Sequence, residues 1–412
     1  MRVLQGKDAL REVGNLVTRS ATIRPESERV AAKIIRDVRR SGERALRRYS
    51  EKFDGLKKGQ PFLVSQEEMQ DALRSVSPEF LKALKTAAGN IRRFAQWQLP
   101  KSWTRTMQPG VEVGQRVVPI MYVGCYVPGG RHPLPSSLLM TVIPAQVAGV
   151  PVISVASPNP APETLAAAAL LGVKHFYRIG GAQAIAAFAY GGGIPPVAKI
   201  VGPGNSYVTA AKKLVSFDCA IDMLAGPTEI IYLAEAGDPQ FIASDLVAQA
   251  EHDPETLPIF ITCDKKLARD VARTAMSMAR ANPVALKSLA ENGLALVAHE
   301  HEEALGWANA IGAEHITVSR ADAESVSSAG SIFVGPYSPQ SLGDYASGPN
   351  HVLPTANVAK FRGGLSVLDF VKIITVQEVS RAGLKKIGPT VTTLAEAEGL
   401  SAHAESVRVR CR

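Results

Sequence analysis

From about residue 120 onward, short apolar runs alternate with longer segments whose apolar residues recur every three or four positions. The short runs predict buried strands, and the longer segments predict helices with one apolar face. Strands are predicted at VPVISVA, KHFYRIG, VAKIVG, IIYLAEA, LPIFITC, LALVA, HITVS and SIFVG. Regular alternation of strands and helices is typical of a parallel sheet with crossover helices, so the chain is predicted to be an α/β protein.

The N-terminal quarter has helical patterns instead. A charged helix is predicted over 26–50, ended by the turn-forming FDG at 53–55. A second helix is predicted from Ser65, which has a capping-box spacing to Glu68, towards Gln98, with a break near Ser77 and Pro78. The pattern then changes to β-rich alternation in GVEVGQRVVPIMYVGCYVPGG.

At 412 residues the chain exceeds one ordinary core, and two similar α/β domains with small end segments are predicted. Residues 123–228 would form one domain, and 21–122 with 229–364 would form the other, wrapped around it. Residues 1–20 are predicted to be a small separate element. Residues 365–412 switch to helical patterns with a basic end and are predicted to be a C-terminal appendage.

Composition and charge exclude several classes of protein. The formal net charge is +8, but the cations lie in mixed helical stretches and not in a basic patch interleaved with aromatic residues. We therefore predict attraction of anionic small molecules and no nucleic-acid partner. The sequence contains no run of 18 apolar residues and no signal-like N-terminus, which predicts no membrane partner. Four isolated cysteines indicate neither a disulfide framework nor a thiolate zinc site, and a cytoplasmic location is expected.

Polar side chains suited to binding a metal ion are scattered over the second half of the chain. They are Gln249 and His252 in SDLVAQAEH, Glu314 and His315 in GAEH, Asp344 and His351 in GDYASGPNH, and Glu398 and His403 in EGLSAH. Imidazole, amide and carboxylate groups together suit a borderline divalent cation. Gln249 and His252 are three residues apart, so on a helix they would share a face. The sequence predicts one metal site, and the carboxylate beside His315 indicates a catalytic one.

Glycines mark three successive predicted strand ends, at 126–131, 179–187 and 201–208. Glycine at such positions lets backbone amides approach a phosphate, so a dinucleotide pocket is predicted. None of the three matches GxGxxG followed by an acidic residue. Tyr126 could stack on a base, while Gln183 and Asn205 could bond the ribose or the nicotinamide amide. The alternative for each is a turn or capping role, which is strongest for Asn205.

The runs YVPGG, GGAQAIAA, VGPGN, IDMLAGPTE, SDLVAQAEH, GAEH, GDYASGPNHVLPT and LSAHAESVRVR occur in that order. In these runs the chain resembles the histidinol dehydrogenase family, most strongly over residues 110–412. The resemblance implies two incomplete Rossmann-like domains, small tail segments and an intertwined homodimer. It also implies oxidation of L-histidinol through the aldehyde to L-histidine, the end of histidine biosynthesis, with two NAD and a bound zinc ion.

The same resemblance implies a role for each matching residue. The implied zinc ligands are Gln249, His252, Asp344 and His403, and His403 would come from the partner subunit. The implied catalytic pair is Glu314 and His315. The implied substrate contacts are Thr228, Gln249, His252, His315, Asp344, His351, Glu398 and His403, with Glu398 also from the partner. The implied NAD contacts are Tyr126, Gln183 and Asn205.

The chemistry of these groups is consistent with such a reaction. An unperturbed imidazole titrates at about 6.5, so His315 suits the removal of a hydroxyl proton near neutral pH. Glu314 lies next to it and could activate the water that an aldehyde needs for its oxidation. Cys125 near the nucleotide loop would permit a thiohemiacetal route, but nothing nearby in sequence would lower its pKa.

Three other functions are compatible with parts of the sequence. A related zinc and NAD dehydrogenase could oxidise another small alcohol, such as a sulfonated propanediol, because Arg131 and His132 stand where many family members have small or uncharged residues. A metallohydrolase would need the metal but not the glycine-marked strand ends. A non-catalytic nucleotide-binding protein would have no use for Glu314 and His315.

Overall fold

The computed structural model describes residues 1–19, 24–129 and 133–411. Arg131 and His132, which bear on the alternative substrate, lie outside the described residues. Within the described ranges, no helix combines the length and apolar character needed to cross a bilayer.

The described residues form strands and helices in regular alternation over most of the chain. The strands are β1 (Arg2–Gln5), β2 (Trp103–Gln108), β3 (Val111–Pro119), β4 (Tyr122–Tyr126), β5 (Val152–Ala156), β6 (His175–Tyr177), β7 (Lys199–Val201), β8 (Ala220–Ile221), β9 (Glu229–Leu233), β10 (Leu257–Thr262), β11 (Leu294–Val297), β12 (His315–Val318), β13 (Ser331–Val334) and β14 (Val371–Val379). The helices are α1 (Gly6–Thr18), α2 (Pro25–Phe53), α3 (Gln66–Ser75), α4 (Pro78–Gln98), α5 (Pro135–Val147), α6 (Pro162–Leu170), α7 (Gly181–Tyr190), α8 (Ser206–Val215), α9 (Pro239–Ala250), α10 (Lys265–Met278), α11 (Pro283–Glu291), α12 (His301–Ile311), α13 (Ser341–Tyr345), α14 (Arg381–Ala397) and α15 (Ser401–Cys411). The predicted strands and helices are confirmed, including the break at Pro78.

Two parallel sheets share one topology. A five-stranded sheet has the order β6-β5-β4-β7-β8, and a six-stranded sheet has the order β1-β11-β10-β9-β12-β13. When β1 is left out and the five other strands of each sheet are numbered in chain order, both sheets have the spatial order 3-2-1-4-5. All neighbouring strands in the two sheets are parallel. The parallel α/β fold is therefore confirmed, and the predicted similarity of its halves is a similarity of strand order. In such sheets, ligands bind where the strand order reverses, outside the carboxyl ends.

The strands of the six-stranded sheet are apolar on both faces. Ile231 and Ile259 pack on one face with residues of α1 and α12. Ile230 and Phe260 pack on the other face with residues of α9 and α10. Successive side chains of a strand point to opposite faces, so continuous apolar runs fit a sheet covered by helices on both sides.

The three helices of residues 25–98, which are α2, α3 and α4, cover the five-stranded sheet. The apolar stripe of α2, which includes Ile34 and Val38, packs with Ile185 of α7 and Ala211 of α8. Helices α3 and α4 pack against α6 and α5. The predicted grouping of 21–122 with 229–364 therefore does not hold for these helices. Their apolar periodicity shows that they need a partner, but it does not identify which sheet provides it.

The N-terminal residues are part of the six-stranded sheet. Strand β1 pairs with β11 as a parallel edge strand, and Ala9, Val13 and Leu16 of α1 are buried in the core of that sheet. The prediction that residues 1–20 form a separate element is therefore wrong. A four-residue strand at a sheet edge carries little alternation from which it could be predicted.

The C-terminal segment is not entirely helical, because it begins with a long strand. Strand β14 pairs antiparallel with β3, which pairs in turn with β2, in a separate three-stranded sheet. Ile373, Ile374 and Val376 of β14 are exposed in this chain, as is Trp103 of β2. Strand β14 was not predicted because both of its faces carry apolar residues, so apolar and polar residues do not alternate along it.

Candidate active site

Both parallel sheets contribute one end to a cavity of about 1150 Å³. The loop after β7, with Pro203 and Asn205, lines it from the five-stranded sheet. Glu229, Glu314 and His315, at the beginnings of β9 and β12, line it from the six-stranded sheet. The carboxyl ends of one sheet thus face the amino ends of the other across a common space.

Three predicted site residues meet in this cavity. Gln249, in the last turn of α9, donates through Nε2 to Asp344 Oδ2 at 2.9 Å. Asp344 Oδ1 lies 3.4 Å from His315 Nε2. Burial by itself would raise the pKa of Asp344, but the nearby His315, followed by more distant histidines, outweighs burial and lowers it. Asp344 is therefore an ionised acceptor at neutral pH.

His315 is a buried imidazole with unused hydrogen-bonding capacity. Its ring stacks on Phe333 with centroids 5.9 Å apart and an interplanar angle of 25°. Neither ring nitrogen has a hydrogen-bond partner among the described residues. Burial acts to lower the pKa of His315, but Asp344 and Glu314 act in the opposite direction and raise it overall. A buried polar group without a partner costs free energy, so a ligand that bonds to this ring is favoured.

Glu314 is the second titratable group of the predicted catalytic pair. Its Oε2 accepts a hydrogen bond from the Glu229 backbone N–H at 3.2 Å and lies 3.9 Å from His315 Nδ1. Burial is the main cause that raises the pKa of Glu314 to about 7. A carboxyl group that titrates near neutral pH can both accept and release a proton during turnover.

His351 is fixed by two contacts. Its Nδ1 lies 2.7 Å from the backbone oxygen of Asp344, and its Nε2 lies 3.2 Å from Ser137 Oγ. A carbonyl oxygen only accepts, so Nδ1 carries the proton when the ring is neutral, and Nε2 accepts from the serine hydroxyl. Burial lowers the pKa of His351 and favours this neutral form.

The other predicted residues divide into two groups. Thr228 and His252 line the cavity, although His252 is exposed and lies beyond the end of α9 at Ala250. The expected shared helical face with Gln249 is therefore wrong, because the chain turns after Ala250. Glu398 and His403 belong to the C-terminal helices and are exposed, and neither lines this cavity in its own chain.

A second cavity, of about 800 Å³, lies at the carboxyl ends of β4 and β5. Tyr126, Gln183 and Asn205, the three residues expected to contact NAD, all line it. Pro128 and Asn205 line both cavities, so the two spaces adjoin. Asn205 follows β7, so the cavity also reaches the carboxyl ends of β4 and β7, between which the strand order reverses and where ligands bind in open α/β sheets.

The three predicted NAD contacts have defined partners within the protein. The Tyr126 ring is 3% exposed, and its hydroxyl accepts from the Gly181 N–H at 3.1 Å. A ring buried to this degree does not favour the stacking role. Gln183 Nε2 donates to Asp54 at 3.0 Å. Asn205 Oδ1 accepts from two backbone N–H groups of α8 at 3.1 Å, so Asn205 caps α8 and also lines this cavity.

The loop after β7 requires glycine at its first position. Gly202 has φ +114°, and a Cβ there would lie 2.1 Å from the Tyr126 backbone oxygen. Asp222 accepts from the Gly202 N–H at 2.7 Å, and Lys212 donates to the Gly202 oxygen at 2.9 Å. Lys212 and Asp222 also form a buried ion pair. The loop that separates the two cavities is therefore held rigidly from both sides.

Sequence reasoning missed several residues of the two cavities. Asp54, at the end of α2, accepts from the Gly180 N–H at 3.0 Å and from Gln183, and its only sequence signal was the FDG turn. Ser137 was hidden in an apolar helix. Arg19 and Glu229, which form a buried ion pair, are 210 residues apart and have no local signal.

The side chains of the larger cavity do not form a complete metal site within one chain. Within the described ranges, no group of three His, Cys, Asp or Glu side chains is placed to hold a metal ion. Gln249, Asp344 and His252 nevertheless line the same cavity, and an amide oxygen, a carboxylate and an imidazole are compatible ligands.

The chain is similar to known proteins along most of its length. A family model described as histidinol dehydrogenase matches residues 17–411. A histidinol dehydrogenase of Methanosarcina barkeri is 44% identical over 97% of this chain and 95% of its own length. One of Natronomonas pharaonis is 46% identical over 92% of each chain.

A solved structure extends the agreement to the fold. The crystal structure of histidinol dehydrogenase from Elizabethkingia anophelis superposes with a TM-score of 0.93, at 35% identity, over 100% of this chain and 98% of the other. The family match and the relatives each cover nearly the whole chain, and the fold agrees over its full length. The chain therefore belongs to the histidinol dehydrogenase family.

Proposed function

We propose that the chain catalyses the NAD-linked, four-electron oxidation of L-histidinol to L-histidine through L-histidinaldehyde, with the help of zinc. The observation that carries this proposal is the juxtaposition of Gln249, Asp344, His315 and Glu314 in one cavity beside a second, dinucleotide-sized cavity. The family relationship supports the substrate, since the relatives named above are histidinol dehydrogenases.

Zinc suits the donors in the larger cavity. Gln249 and Asp344 are in contact, Asp344 is ionised, and His252 lines the same cavity. We assign these three residues, together with His403 of a second copy, as the zinc ligands. Bound zinc would orient the amine and imidazole of the substrate and polarise its donor atoms. One carboxylate among neutral ligands leaves such a site a net positive charge.

NAD suits the smaller cavity. The strand order of both sheets matches the first five strands of a Rossmann fold, and we interpret them as incomplete Rossmann-like domains that meet near residue 228. We assign Tyr126, Gln183 and Asn205 to this cofactor. Bound NAD would accept the hydride in each oxidation. The adjoining walls at Pro128 and Asn205 bring the two ligands side by side.

The protein side chains perform the proton transfers. In the first oxidation, His315 accepts the hydroxyl proton as hydride leaves the carbinol carbon. In the second, Glu314 takes a proton from water as the water adds to the aldehyde, and His315 returns the proton it took in the first oxidation to the aldehyde oxygen, which gives the hydrate. His315 then takes a hydroxyl proton of the hydrate as hydride leaves its carbon. Burial raises the pKa of Glu314 to about 7, and the carboxylates of Asp344 and Glu314 raise the pKa of His315 although burial lowers it. Burial also raises the pKa of Cys125 to about 12, which does not favour a thiolate route.

The remaining assignments concern substrate contacts and assembly. We assign Thr228 and His351 to substrate binding from the same chain, because both line the larger cavity. Glu398 and His403 are exposed and outside that cavity in their own chain, and we propose that they complete the site of a partner in a homodimer. The exposed apolar residues of β14 provide a surface for such an association. All four cysteines are free thiols, which is compatible with a cytoplasmic enzyme.

The alternative substrate, a sulfonated propanediol, is not favoured. Its support was Arg131 and His132, and the relatives that match over nearly the full chain are histidinol dehydrogenases. No described contact in the cavity selects a sulfonate over an imidazole.

The test of the proposed function is the stoichiometry of NADH. With purified, zinc-loaded enzyme and limiting L-histidinol, we expect two NADH for each histidinol consumed, because both oxidations occur before release. NADH is measured by its absorbance and histidine by amino-acid analysis. A steady yield of one NADH with accumulating aldehyde would refute the single-site mechanism, and turnover of only the sulfonated diol would refute the substrate.

A further inference from the structure

Two buried glutamates that line the larger cavity, Glu229 and Glu314, are in contact through the backbone N–H of the first. Glu229 begins β9, and Glu314 immediately precedes β12, where His315 pairs in register with Ile230. Their side chains are 5% and 10% exposed. The Glu229 N–H donates to Glu314 Oε2, so the two residues are in direct contact. The negative charge of Glu229 acts to raise the pKa of Glu314.

Arg19 neutralises Glu229. Its Nε lies 2.8 Å from Glu229 Oε1, and a terminal guanidinium nitrogen lies 2.7 Å from Oε2. The Ala356 N–H donates to the same carboxylate at 2.9 Å. Arg19 is itself anchored, since its other terminal nitrogen donates to the Leu16 backbone oxygen at 2.7 Å. A two-pronged guanidinium contact holds a carboxylate in its ionised form and in one orientation.

Among the described residues, Glu314 pairs with no arginine or lysine, and its ion-pair contact is His315. The charged groups that act on the pKa of Glu314 are His315, Glu229 and Asp344. Burial raises its pKa to about 7, and the charges of Glu229 and Asp344 act in the same direction, while His315 opposes them. Glu314 can therefore gain and lose a proton near neutral pH.

We propose that Arg19 is a positioning residue that determines which of two neighbouring buried carboxyl groups acts as the base. By holding Glu229 as a paired carboxylate, Arg19 limits the negative charge that Glu314 experiences and keeps the Glu229 backbone in place to bond it. Arg19 acts through Glu229 and does not touch the reacting atoms. The inference rests on the proposed function, because it assigns Arg19 to the water-activating step of aldehyde oxidation.

The test is the pH dependence of L-histidinaldehyde oxidation at saturating NAD in four variants. Arg19→Met leaves Glu229 as a bare carboxylate, which disfavours the ionised, active form of Glu314. We expect the acidic limb of the kcat profile to move up by about 1 pH unit, with a loss of up to about tenfold at pH 7 that is recovered at higher pH. Arg19→Lys keeps the charge and should move the limb by less. Glu229→Gln leaves Arg19 unpaired and should move the limb to lower pH.

The double variant Arg19→Met with Glu229→Gln removes both charges, and its limb should return close to that of the unmodified enzyme. Arg11→Met, which removes a charge from an exposed ion pair on α1, is the matched control and should leave the profile in place. An equal loss of activity at every pH in Arg19→Met, or no reversal in the double variant, would overturn the inference. If Arg19→Met does not fold, the opposite shifts expected for Arg19→Lys and Glu229→Gln still decide it. Absence of histidinol oxidation in the unmodified enzyme would refute the proposed function instead.

Discussion

Replacing His315 by asparagine is expected to lower kcat for L-histidinol by on the order of 10²- to 10⁴-fold while zinc remains bound. The His315 ring nitrogens are buried and have no hydrogen-bond partner among the described residues, so their hydrogen-bonding capacity is available to the substrate. Asparagine keeps a polar group of similar reach but cannot take up a proton near neutral pH. Turnover is measured by NADH formation, and bound zinc by atomic absorption on the dialysed protein.

The control for this variant is His301→Asn. His301 is also in the six-stranded-sheet half, where it contacts Glu235 at 3.2 Å and Asp322 at 2.7 Å, outside both cavities. It should alter local packing but not the proton transfer, so kcat should stay within about twofold of the unmodified value. Loss of zinc from His315→Asn would reassign His315 as a metal ligand.

Replacing Asp344 by alanine is expected to remove zinc and to lower activity by on the order of 10³-fold. The Asp344 side chain accepts from Gln249 and faces His315, and its carboxylate is the charged group among the proposed ligands. Without this carboxylate, Gln249 and His315 lose their common neighbour, and the zinc ion loses its negatively charged ligand. Zinc content is measured after dialysis against buffer without metal, and activity is measured with and without added zinc.

Asp238→Ala is the control that separates loss of a zinc ligand from a general loss of folding stability. Asp238 caps α9, the helix that carries Gln249, and accepts from the Gln240 N–H at 2.8 Å. Removal of the cap should cost about 1 kcal/mol of folding free energy and leave zinc bound. Full zinc content and unchanged turnover in Asp344→Ala would show that the cluster is not the metal site.

The sequence predicted the strands, the helices and the parallel topology because buried strands and amphipathic helices have distinct periods. It did not predict that β1 joins β11 or that α2 covers the five-stranded sheet, because an apolar stripe does not specify its partner. Strand β14 was missed for a related reason. Its residues are apolar on both faces, and the partner surface that would bury them is not encoded in the local pattern.

The residues of the candidate site could be predicted where reactive side chains lie close together in the sequence. Glu314 and His315 are adjacent in sequence, and the structure places them with Gln249 and Asp344. Arg19 and Asp54 were not predictable, since each meets its partner across a long stretch of chain. The position of His252 beyond the end of α9 follows from the turn after Ala250, which the apolar periodicity did not mark.

The most direct test of the central claim is complementation between two inactive subunits, His252→Ala and His403→Ala. If one copy supplies Gln249, His252 and Asp344 and the other supplies His403, a hybrid dimer contains one intact site and one site that lacks both histidines. Hybrids refolded from mixed subunits and purified by two different tags should recover about half of the unmodified activity per dimer. Each variant alone should stay inactive. No recovery in verified hybrids would contradict the account and place the whole site within one chain.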